Sequence, residues 1–77
     1  MLSEEDATGG WTLRVDPSQG AMLTRSMYRR QLSVWEDGRL FQFVVDDDTR
    51  TLRWGRRSTV AAAKLAAEKA ARPASAP

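Results

Sequence analysis

The sequence predicts an α+β fold, a three- to four-stranded antiparallel β-meander packed against one C-terminal α-helix. Three observations carry that expectation. Apolar and polar residues alternate in successive segments between Tyr28 and Trp54, an Asp37-Gly38 pair and an Asp46-Asp47-Asp48-Thr49 run divide those segments, and an alanine-rich stretch follows. Alternation places successive side chains on opposite faces of a strand. Asp-Gly between alternating runs is a strong hairpin signal.

Residues 1–10 (MLSEEDATGG) carry Glu4, Glu5, Asp6 and a Gly9-Gly10 pair, the composition of a disordered acidic N-terminal tail. A single domain is expected over residues 11–72, with a second disordered tail at 73–77, because Pro73 cannot continue a helix. Trp11, Leu13 and Val15 alternate with Thr12 and Arg14, which predicts a short first strand ending at Asp16-Pro17. Residues 18–27 admit a loop, a helical turn around Ala21 to Arg25, or an early extension of the second strand.

A type I′ turn centred on Asp37-Gly38 pairs Glu36 with Arg39, Trp35 with Leu40, Val34 with Phe41 and Leu32 with Phe43. One face then collects Leu32, Val34, Phe41, Phe43 and Val45, joined by Leu52 and Trp54, as the core. The opposite face carries Arg29, Gln31, Ser33, Trp35, Leu40, Gln42, Val44, Thr51 and Arg53. Ser58 or Thr59 caps a helix running from Val60 to Ala71. Its apolar stripe is Val60, Ala63, Ala66, Ala67 and Ala70, with Leu65 roughly opposite; a second choice docks Ala61, Ala62 and Leu65. Leu65 or its neighbours are expected to help close the core, since alanines alone would leave gaps over Phe41, Phe43, Leu52 and Trp54.

The 77 residues contain no Cys and no His, which removes disulfides, thiolate chemistry, most zinc sites and the usual general base. Asp46, Asp47 and Asp48 are consecutive, whereas an EF-hand loop spaces its ligands at alternate positions, so turn capping is their expected role. The glycines match neither a phosphate-binding loop nor a dinucleotide fingerprint. No catalytic residue, metal or cofactor is therefore expected, and the chain does not read as an enzyme. No apolar run approaches the ~20 residues of a membrane span, and the start is acidic where a signal peptide is basic. No membrane association and a cytoplasmic location are expected.

Net charge is +2, but Glu4, Glu5 and Asp6 lie in the first ten residues, leaving twelve bases against seven acids over residues 11–72, or +5. Arg29, Gln31, Trp35, Gln42, Arg53, Arg56 and Arg57 form the candidate binding set. Arginine bridges phosphates or takes a guanine edge, and an exposed indole stacks on an unpaired base. Arg56 and Arg57 precede a helix N-terminus, where backbone N–H groups favour an anion. These features point to a small non-enzymatic binding protein whose partner is nucleic acid, DNA favoured. The alternative is a protein-protein interaction module, such as a phage-encoded inhibitor of a host protein of the anti-CRISPR kind, with Trp35, Leu40 and Val44 as its apolar patch. Either reading is compatible with a homodimer through an open sheet edge or through Leu65.

Tyr28-Arg29-Arg30, then Gly38-Arg39 opening an aromatic strand, then Arg50-Thr51-Leu52-Arg53-Trp54-Gly55 leading into Ser58-Thr59 and an alanine-rich helix, resembles the three-strand-plus-helix module of AP2-type DNA-binding domains and phage-integrase arm-binding domains. The resemblance covers residues 28–72. It implies a sheet lying in the DNA major groove, with contacts at Arg29, Trp35, Arg39 and Arg53.

Overall fold

Four reversals turn the alternating part of the chain into one antiparallel sheet. The computed structural model describes residues 2–18 and 20–73. Strands β1 (Thr12–Asp16), β2 (Gly20–Met27), β3 (Arg30–Asp37), β4 (Leu40–Asp46) and β5 (Thr51–Arg57) lie side by side in chain order, and helix α1 (Val60–Ala71) follows. The architecture is the expected α+β meander with one C-terminal helix, but with five strands in place of three or four. The added strand is Gly20–Met27, which pairs with β1 on one side and β3 on the other.

Turn chemistry sets the register. Asp37 pairs with Leu40, so the β3–β4 turn is Gly38-Arg39, with Gly38 alone at positive φ (65°). Glycine first and a normal residue second is the type II′ pattern, which also suits the twist of a hairpin. Trp35 consequently faces Gln42 and Val34 faces Phe43, a shift of two residues from the expected pairing. A shift by an even number leaves every side chain on its expected face.

A β-bulge has the opposite effect on β5. The register shifts between Val45 and Asp46: Val45 pairs with Arg53 and Asp46 with Thr51, leaving Leu52 as the extra residue. Beyond it the faces invert relative to the sequence expectation. Trp54 lies opposite Val44 on the outer face and is 59% exposed, while Arg53, Gly55 and Arg57 lie opposite Val45, Phe43 and Phe41 on the helix side. Gly55 suits that position because the Phe43 ring lies directly over it.

The core also differs in what closes it. Leu23, Leu32, Val34, Phe43 and Val45 are buried beneath Ala63, Ala67 and Ala71, three alanines one turn apart that let the helix approach the sheet closely. Leu65 is 64% exposed and takes no part. The missing volume comes from Leu2 and Trp11, both buried in the same cluster. Residues 2–10, expected as a tail, instead form a one-turn 3₁₀ helix (Glu4–Asp6) and a strap against α1.

Specific polar contacts hold that strap. Lys64 Nζ donates to the Asp6 carbonyl (2.7 Å) and to Thr8 Oγ1 (3.1 Å). Trp11 Nε1 and Arg25 Nη1 both donate to Glu68 Oε2 at 2.7 Å, and Arg25 also reaches the Gly9 carbonyl. Burying an aromatic side chain contributes about 2–3 kcal/mol, a large share for a domain this small, so apolar burial outweighs the acidic character of residues 4–6. At the helix ends Thr59 Oγ1 accepts from Ala62 N (3.1 Å), and Arg30 Nη1 donates to the Ala71 carbonyl (2.6 Å). Of the tail expected at 73–77, only Pro73 lies within the described residues.

A candidate binding face on the uncovered side of the sheet

The helix and the N-terminal strap both lie on one side of the sheet, so the other side of all five strands faces outward among the described residues. Strand pairing arranges its side chains in rows. Arg14, Met22, Trp35, Gln42 and Arg56 are successive cross-strand partners, one residue per strand. The adjacent row is Thr12, Thr24, Ser33, Val44 and Trp54. With strands about 4.8 Å apart, Arg14 and Arg56 stand about 19 Å apart at the backbone. Trp35 and Trp54, two strands and one row apart, are separated by about 12 Å.

The first row therefore presents an arginine at each end and an indole at its centre. Trp35 is half-buried between its neighbours, and Trp54 is open. Arg56 sits over the Trp54 ring at 5.7 Å and pairs with Asp37 through Nε at 3.1 Å. Both partners of that pair are about half exposed (48% and 46%), and such surface pairs contribute little, so Arg56 exchanges partners at small cost. A cleft at the β1–β2 end of the face is lined by Arg14, Val15, Pro17, Ala21, Met22 and Trp35.

The structure brings together four residues of the expected set, Gln31, Trp35, Gln42 and Arg56, on this face. Arg53, expected there, lies on the helix side of the β5 edge because of the bulge, and so does Arg57, which stacks over Phe43 at 5.2 Å. Arg29 is in the β2–β3 turn and Arg39 in the β3–β4 turn, at opposite ends of β3. Arg14, Met22 and Trp54 belong to the face and were not singled out. Arg14 was legible from the alternation of the first strand; Met22 lies in the stretch without a readable period, and a bulge conceals Trp54.

Asp47 Oδ1 accepts from the backbone N–H of Thr49 (2.8 Å) and of Arg50 (2.9 Å), and Asp46 Oδ1 from Thr51 Oγ1 (2.6 Å). The Thr49 and Arg50 backbone donors hold the Asp47 carboxyl below the usual carboxylate range. These acids act as turn caps. Among the described residues no cluster of acids is placed to hold a metal ion, and no helix is long and apolar enough to cross a membrane. No protein-family model, curated protein or solved structure matches the chain.

Proposed function

We propose that the protein binds nucleic acid through the outer face of its sheet and performs no catalysis. The observation behind this reading is the row Arg14, Met22, Trp35, Gln42, Arg56, where cationic ends flank an aromatic centre on a surface that no other element covers among the described residues. Arginine supplies the phosphate contacts, the indoles supply stacking, and Gln31 and Gln42 supply paired donors and acceptors for base edges.

Fluorescence anisotropy with labelled DNA and RNA at about 50 and about 200 mM salt tests it. Affinity should fall with salt, because released counterions drive phosphate binding. It should also fall on Trp35→Ala and on Arg56→Ala. No binding at the lower salt removes the proposal. One observation favours a second reading: the cleft beside Trp35 is largely apolar and would accept a side chain of a protein partner. A protein complex would depend on Trp35 and change little with salt.

A further inference from the structure

We infer that the occupant of this face is a single-stranded nucleic acid, with its backbone along the β5 edge and its bases stacked on Trp54 and Trp35. The inference rests on the nucleic-acid reading above. Three features support it.

The first is stacking. An indole stacks only on a base whose face is free, and in a duplex those faces are covered by neighbouring bases. Trp54 is 59% exposed, and the face carries a second indole about 12 Å away.

The second is width. The B-DNA major groove is about 12 Å wide and admits a helix or a two-stranded ribbon, whereas the arginine-to-arginine row spans about 19 Å at the backbone. The whole face does not enter a groove, whereas a flexible single strand needs none.

The third is the placement of charge. Arg50, Arg53, Arg56 and Arg57 fall within eight residues that contain no acid; Arg50 precedes the last strand of the sheet and the other three lie on it, and its outer edge has no partner strand among the described residues. Arg56 projects onto the outer face beside Trp54, while Arg53 and Arg57 project on the other side of the same edge. Alternate residues of a strand recur about every 7 Å, so the edge forms a ridge of guanidinium groups running beside the exposed indole.

The test uses the full chain with labelled 20-nucleotide probes of one mixed sequence as single-stranded DNA, single-stranded RNA and duplex DNA, at low and moderate salt. The expected result is tighter binding to a single-stranded probe than to duplex DNA, accompanied by quenching of tryptophan fluorescence. Trp54→Ala should weaken it roughly 5- to 150-fold, the range for one stacked base. Trp54 is exposed, so its removal should leave the fold intact, as circular dichroism would verify. Arg53→Ala combined with Arg57→Ala should weaken binding and flatten its salt dependence.

Tighter binding to duplex than to single strands would overturn the inference while leaving the nucleic-acid reading in place. Full affinity in Trp54→Ala would overturn the stacking geometry. Absence of binding to all three probes removes both proposals.

Discussion

Replacing Gly55 by alanine tests the register of β5 by the sign of its effect. Gly55 faces Phe43 on the helix side of the sheet, and a Cβ built there stands 2.9 Å from both Cε1 and Cζ of the ring. Carbon atoms prefer about 3.5–4.0 Å, so the ring or the strand must move. Overpacking of this kind costs about 1–3 kcal/mol. Alanine recovers about 0.5–1 kcal/mol by restricting the unfolded chain, since the backbone at Gly55 lies outside the left-handed region. The net expectation is a loss of about 1–2 kcal/mol, or about 4–16 °C in Tm for a domain of this size. Thermal unfolding followed by circular dichroism reads it. If Trp54 faced the core, as unbroken alternation from β4 would have it, position 55 would point outward and alanine there would raise Tm. A second variant makes the cause specific: Phe43→Leu removes the ring, so the penalty of Gly55→Ala should shrink by about 1 kcal/mol in that background. A rise in Tm for the single variant, or additive losses for the pair, would refute the bulged register.

Three further outcomes are expected. Tyr28 and Arg29 both adopt positive φ (54° and 61°), which costs non-glycine residues about 1–2 kcal/mol each; Tyr28→Asn with Arg29→Gly supplies the pair that a type I′ turn prefers and should raise stability by about 1–2 kcal/mol in urea unfolding. Leu2→Ala should cost about 2 kcal/mol or more, as for a core residue, whereas Leu65→Lys should stay within about 0.5 kcal/mol; equal, small effects would detach the N-terminal strap from the core. The Asp47 carboxyl titrates lower when folded than when unfolded, so it stabilises the fold above its unfolded pKa, and that contribution is lost as pH falls through the folded value. Asp47→Asn should therefore be less stable than the parent at neutral pH, with the gap closing on acidification in a Tm series.

Facing was legible in the sequence wherever parity was enough. The Asp37-Gly38 signal located the hairpin, and although the turn is Gly38-Arg39, an even shift left Leu32, Val34, Phe41, Phe43 and Val45 inward and Trp35 and Gln42 outward. An odd shift is different: the bulge after β4 inserts Leu52 and reverses Arg53, Trp54 and Arg57, and no local residue pattern announces it. The strap was hidden for another reason. Its charges and glycines describe most of its residues, while its attachment depends on two separated side chains, Leu2 and Trp11, and on Glu68 and Lys64 far along the chain. The face of α1 followed from the same cause, because a sheet already supplied with Trp11 needs only alanines above it, and Leu65 is left to solvent.

The arginine content overstated the site for a related physical reason. A net +5 over residues 11–72 suggests a broad positive field, yet Arg25 is held by Glu68, Arg30 by the carboxyl end of the helix, and Lys64 by the N-terminal strap. Bases engaged in this way stabilise the fold and are poorly available to a ligand. Those placed to meet a strand along the β5 edge are Arg50, Arg53, Arg56 and Arg57, of which Arg56 projects onto the outer face. With about 0.7 counterions released per phosphate on a single strand, four contacts give a slope of about −3 in log K against log salt, or roughly a 50-fold loss of affinity between about 50 and 200 mM. A slope much steeper than about −5 would require the helix and turn cations to reach phosphates as well, and would place the ligand elsewhere than along the β5 edge. A slope near zero would mean that stacking holds the strand without phosphate contacts, and would remove the arginine ridge from the site. The salt dependence of binding therefore reports which surface is used, as well as whether nucleic acid binds.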